Sequence, residues 1–219
     1  MTFTEADREY RRAIEAYGSE MNSAVDAARK VTEVRLQDLD LTFAVLLRLK
    51  SFFEAQKEIK RILDKVYAAP AADFFVETVC FFLKMAFEKL DKSIHISSEK
   101  KILKKRGAIR PDITIWRGEK LIAAIECKTQ LGWNRKGWKE DFERSERILK
   151  KSHQGAKLFL LVMTGSNWAG FEEDPRVGKQ FFLLLDKIWP VDYSVSEESN
   201  KLIVNPIESI VELLIDCNV

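Results

Sequence analysis

Ile109-Arg110-Pro111-Asp112-Ile113-Thr114-Ile115-Trp116, then Arg117-Gly118-Glu119-Lys120, then Leu121-Ile122-Ala123-Ala124-Ile125-Glu126-Cys127-Lys128-Thr129-Gln130 decides the fold. Two runs rich in β-branched residues flank a polar break that contains a Gly, which is the signature of a β-hairpin. The second run is apolar on both faces, so it reads as a buried strand. It nevertheless ends in Glu126 and Lys128. Charge is costly to bury unless it is paired or bound to a metal, so this strand end needs a chemical reason.

Side chains alternate across a strand, so Glu126 and Lys128 share a face with Ile122 and Ala124. Gln130 continues that face if the strand runs on. In the first strand Asp112 shares a face with Thr114 and Trp116. Two carboxylates on adjacent strands suit one hard divalent cation, because Mg²⁺ takes oxygen ligands and keeps several waters. A lysine beside them can hold or deprotonate a water, or steady a phosphate oxygen. Together these groups suit metal-assisted phosphodiester hydrolysis. The bland alternative is a solvated hairpin end with an Asp–Lys or Glu–Lys pair. Acid-x-Lys also occurs at Glu58-Ile59-Lys60 and Glu99-Lys100-Lys101, but only Glu126-Cys127-Lys128 ends an apolar strand and follows the chain's single Pro-Asp.

Pro111-Asp112 followed by Glu126-Cys127-Lys128 resembles the signature of the PD-(D/E)XK nuclease superfamily, the restriction-endonuclease-like fold. The resemblance implies that Asp112 and Glu126 bind Mg²⁺, with Mn²⁺ as an alternative. It also implies that the main-chain carbonyl of Cys127 adds a ligand and that Lys128 is the catalytic lysine. In that family a helix before the sheet often supplies one more acid, and Glu77 is the candidate here. The fold implied is α/β, an αβββαβ core, a mixed central sheet flanked by helices, preceded by an N-terminal helical extension.

The hairpin carries a geometric demand. Directly opposed residues of an antiparallel pair lie on one face. Pairing Arg117 with Leu121 around Gly118-Glu119-Lys120 sets Asp112 opposite Glu126. A two-residue turn at Gly118-Glu119 sends the two acids to opposite faces unless a β-bulge corrects the register. The expectation is the longer turn, or a bulge near Pro111.

At 219 residues, with 46% hydrophobic and 32% charged residues, the chain has material for a real core. It contains no apolar run long enough for a membrane span, and its first residues lack a secretory pattern. Three cysteines without metal-ligand spacing fit a reducing, cytoplasmic setting. The expected division is a helical region at 1–68, for packing or dimerisation, and a nuclease-like domain at 69–219.

In chain order, a helix is expected from residue 4 to about 35, capped by Thr4 with Asp7 and broken near Gly18-Ser19. A second runs from Asp38 or Asp40 to about Tyr67. A third, opened by Pro70, runs from Ala71 to Asp91 and is apolar nearly all round. Between Glu99 and Arg110 lie six bases (Lys100, Lys101, Lys104, Lys105, Arg106 and Arg110) and one acid. A basic stripe leading into Asp112 suits a polyanion. Gln130 and the loop bases Arg135 and Lys136 add candidate DNA contacts. So do Arg144 and Arg147, on a helix expected from Trp138 to His153. Lys157–Met163 reads as a buried strand. Asp174-Pro175 is expected to cap a helix to about Ile188, Lys201–Val204 to form a last strand, and Asn205-Pro206 with Glu208 to cap a helix from Ile207 to Asp216.

These features point to a Mg²⁺-dependent, restriction-type DNA endonuclease, acting as a homodimer if both strands of a duplex are cut. The alternatives are a repair or recombination nuclease for branched or single-stranded DNA, and a non-catalytic DNA-binding module of the same fold. A Cys127–His153 nucleophile pair is disfavoured, because Cys127 should point into the core, away from Glu126.

Overall fold

Alternating apolar hairpin strands followed by a helix and another apolar strand build a single mixed sheet. The structure, a computed structural model, describes residues 1–69, 71–102, 109–131, 137–165, 171 and 173–216. The chain forms two compact units, Met1–Val34 and Arg35–Val219. The boundary therefore falls before the second long helix rather than at 68/69.

The first unit holds the short helix α1 (Phe3–Ala6) and α2 (Arg8–Ala28). Thr2, not Thr4, caps the start: its hydroxyl accepts from the Glu5 N–H while Glu5 reaches back to the Thr2 N–H. The helix runs unbroken through Gly18-Ser19 and stops at Ala28.

The second unit opens with α3 (Asp40–Ile62) and α4 (Ala72–Leu90). Pro70 lies outside the described residues. The sheet follows: β1 (Ile94–Ser98), β2 (Ile113–Arg117), β3 (Lys120–Lys128), then α5 (Trp138–Ser152), β4 (Lys157–Thr164) and β5 (Phe181–Leu185). Their spatial order is β1-β2-β3-β4-β5, antiparallel through β3 and parallel from β3 onward. Strand β3 is central, and α5 is the crossover that a parallel β3–β4 pair requires.

Each face of the sheet carries its own core. Ile113, Ile115, Ile125 and Cys127 pack with Val45, Leu49 and Phe53 of α3, with Phe75, Val79 and Leu83 of α4, and with Ile210 and Leu214 of α7 (Ile207–Ile215). Trp116, Leu121, Ala124, Leu158 and Leu160 pack with Phe142 and Leu149 of α5. The apolar face of α3 is thus spent on this chain's own core.

Three expectations fail after β4. Residues 181–185, Phe-Phe-Leu-Leu-Leu, form a strand with all five residues buried, not a helix from Asp174. A short apolar run carries no period, and burial between two layers selects the strand. Residues 201–204 form no strand: Ile203 makes a single bridge to Leu185 after the short α6 (Glu197–Asn200). Nor does Glu208 cap its own helix. It accepts hydrogen bonds from the Thr42 N–H and hydroxyl in α3, while the Thr42 oxygen accepts from the Ile207 N–H. The N-terminal amides of α3 and α7, which no helix satisfies internally, are answered around one buried carboxylate.

Candidate active site

The turn between β2 and β3 is the two-residue one. Arg117 pairs with Lys120 across Gly118-Glu119, and Gly118 takes φ +57°, as the first position of a tight hairpin turn favours. Continued unchanged, this register would separate the acids. It does not continue: Trp116 faces Leu121, but Ile115 faces Ala123, so Ile122 is an extra residue on β3. The expected bulge near Pro111 is therefore at Ile122. It turns Ile122 onto the face of Ala123, in the core under α3 and α4, and away from Ala124 and Glu126. From there Ile113 faces Ile125, and the next pair outward is Asp112 with Glu126.

Asp112 sits just before β2. Its backbone carbonyl accepts from the Glu99 N–H at 2.9 Å and from the Ser98 hydroxyl at 3.2 Å, which fastens it to the end of β1. Its Oδ2 accepts from the Cys127 N–H at 2.7 Å. The Lys128 Nζ lies 3.5 Å from this same oxygen and 3.4 Å from Glu126 Oε2. The three side chains predicted to act together are thus brought together, each about a quarter exposed (26%, 23% and 30% for Asp112, Glu126 and Lys128). Burial pushes the Glu126 carboxyl above its ordinary range; the Lys128 ammonium opposes this and the Asp112 carboxylate reinforces it. The Cys127 side chain lies in the opposite core, and burial holds its thiol well above the usual range. It is no candidate nucleophile.

A cleft of about 220 Å³ opens beside these groups, between β3 and α5. Glu126, Lys128, Trp138, Asp141, Arg144 and Ser145 are among its lining residues. Asp141 and Ser145 were missed in the sequence, although the spacing of Trp138, Phe142 and Ser145 already puts one face of α5 toward the sheet. The Trp138 ring packs on Phe171 and Phe181 at 5.4 and 5.5 Å, so it anchors the helix. Arg144 reaches the cleft and pairs with Asp141 at 2.9 Å. Arg147 is exposed on α5 and does not line the cleft.

The other candidates divide. The Lys100 ammonium sits 4.2 Å from the centre of the Trp116 ring, on the side of the sheet that carries Asp112. Lys101 and Arg110 are exposed. Lys104, Lys105, Arg106, Arg135 and Lys136 lie outside the described residues. Gln130 does not join Glu126. Strand β3 ends at Lys128, and Gln130 lines a separate cavity with Phe53, Tyr67 and Trp189. Glu77 is half-buried on α4, which packs on the opposite face of the sheet. Among the described residues no group of three or more His, Cys, Asp or Glu side chains is placed to hold a metal ion, so Glu77 does not complete a set with Asp112 and Glu126.

The two remaining carboxylates fit a hard divalent cation in donor chemistry. Both supply oxygen, both are open to water, and Glu126 carries a like-charge strain that a cation relieves. Among the described residues no helix is long and apolar enough to cross a membrane.

No family model matches the chain, and no curated protein matches it. A solved structure described as the native BbvCI A2B2 tetramer at low resolution is similar over 99% of this chain and 97% of that chain, at 11% identity and a TM-score of 0.33.

Proposed function

We propose that this chain is a metal-dependent DNA endonuclease of the PD-(D/E)XK type, using Mg²⁺ or Mn²⁺ to hydrolyse phosphodiester bonds. One observation carries the reading: the bulge at Ile122 restores the register that a two-residue turn would spoil, and so gathers Asp112, Glu126 and Lys128 at one strand end. A solvated hairpin end has no need of that correction.

Asp112 and Glu126 would hold the cation, with the Cys127 carbonyl as a further ligand by family resemblance. Once bound, it would supply Lewis-acid stabilisation of the charge on the scissile phosphate. Lys128 donates to the attacking water or to a phosphate oxygen, and its ammonium is kept in place by both carboxylates. The Asp112–Cys127 N–H bond fixes one carboxylate oxygen before any ligand arrives, the kind of positioning on which such catalysis depends. Lys100, Arg110 and Arg144 supply positive charge for the DNA backbone. Two copies would be needed to cut both strands of a duplex from a single site each.

The test is cleavage of supercoiled plasmid and of single-stranded DNA by the wild type and by Lys128→Ala, with Mg²⁺, Mn²⁺ or EDTA. Metal-dependent cleavage reduced about 100-fold or more by Lys128→Ala supports the reading. Cleavage that survives EDTA, or that Lys128→Ala leaves intact, refutes it.

A further inference from the structure

We propose that α2 is a self-association element and pairs antiparallel with α2 of a second copy of this chain. Its seam is Tyr10, Ile14, Tyr17, Met21, Ala24 and Ala28, at spacings that alternate four and three. That is a 3.5-residue period, the repeat of a coiled coil rather than of a helix lying on a sheet or a membrane. The helix is 21 residues long, about 32 Å, which spans the three heptads a coiled coil needs. None of its residues is buried, and Tyr10, Ile14 and Tyr17 are more than half exposed at 58%, 58% and 52%.

The seam specifies its occupant by size. Its N-terminal half is large (Tyr10, Ile14, Tyr17) and its C-terminal half is smaller (Met21, Ala24, Ala28). A parallel copy would stack tyrosine on tyrosine and leave the alanine layers underfilled. An antiparallel copy sets Tyr10 against Ala28, Ile14 against Ala24 and Tyr17 against Met21, so every layer joins a larger side chain to a smaller one, as close packing requires. Beside the seam, Ala13, Gly18 and Ala27 let the two backbones approach. Glu20 would face its own copy across the two-fold axis, a like-charge contact that weakens the pair. The inference rests on this seam and stands apart from the nuclease reading, since the pairing can be measured with no DNA or metal present.

The test uses the full chain in EDTA. Sedimentation equilibrium up to about 100 µM compares wild type, Ile14→Glu and Glu20→Gln. Expected is a reversible dimer, weakened about tenfold or more by Ile14→Glu and tightened by Glu20→Gln. Direction is read by oxidation in a Cys80→Ser, Cys217→Ser background. A mixture of Ile14→Cys and Ala24→Cys chains should give a disulfide-linked dimer, and Ala24→Cys alone should not. A monomer throughout, a dimer indifferent to Ile14→Glu, or efficient Ala24→Cys self-linking would each overturn the proposal.

Discussion

The two acids of the site should respond to neutralisation with opposite signs, and the difference follows from their partners. Asp112 Oδ2 accepts the Cys127 N–H at 2.7 Å, at the edge where the β2 ladder ends. Asp112→Ala removes that acceptor from a backbone amide in the central strand. A hydrogen bond to a charged group contributes about 1.5–3 kcal/mol; a quarter-exposed carboxylate, relieved of repulsion from Glu126 once removed, brings the expected loss down to about 1–2 kcal/mol. For a unit of this size that lowers Tm by roughly 2–8 °C. Asp112→Asn keeps an acceptor and should lose less. Glu126→Gln should stabilise instead, because burial and Asp112 hold that carboxyl above its ordinary range. A raised carboxyl costs nothing below its unfolded pKa of about 4.3. The cost grows as pH rises from there through the folded value, and is constant above it. The gain from Glu126→Gln should therefore be present at neutral pH and vanish below about pH 4. Urea and thermal unfolding in EDTA at pH 7.5 and pH 4 measure all three variants. An Asp112→Ala variant as stable as wild type, or a Glu126→Gln variant destabilised at neutral pH, would refute this electrostatic balance.

Asp174 is 3% exposed, bonded to the Arg176 amide and guanidinium and to Lys139 at 2.9 Å, and these cations hold its carboxyl well below the usual range. Its stabilisation is present above the unfolded pKa of about 3.9 and is lost as pH falls through the folded value. Asp174→Ala should therefore cost about 1–3 kcal/mol at pH 7, and the gap from wild type should close in acid unfolding curves below pH 4. Thr42→Val strips a hydroxyl from the buried Glu208 and an acceptor from the Ile207 N–H; a loss of about 2–4 kcal/mol is expected in urea unfolding. Deleting Ile122 removes the bulge without changing which residues face each other beyond it. It should cost about 2–4 kcal/mol of lost burial while metal-dependent cleavage survives; a folded but inactive variant would show that the bulge does more than set register.

Much of the site was legible because strand alternation is a strict rule. Glu126 and Lys128 had to share a face, and Cys127 had to leave it. The bulge was not legible at its true place: Leu121 to Ile125 are all apolar, so no residue there marks a change of face. Phe181–Leu185 was hidden for a similar reason, since five apolar residues serve a buried strand or a buried helix equally, and Asp174-Pro175 gave a false helix start. Asp174 is spent instead on Arg176 and Lys139. The element order from α4 to β4 was readable because each segment has its own period. Glu77 had the right chemistry in the right helix, but that helix packs on the other side of the sheet, which only the tertiary fold decides. Asp141 and Ser145 lack a motif of their own, and only the seating of α5 over β3 brings them to the cleft.

Calorimetric titration of Mn²⁺ into the wild type, Asp112→Ala and Glu126→Gln decides whether these two carboxylates hold a metal. One saturable site per chain is expected in the wild type, lost or weakened at least about tenfold (about 1.4 kcal/mol) in each variant. Binding of equal strength in all three proteins would contradict it, because the two carboxylates that the bulge brings together would then not be holding the metal.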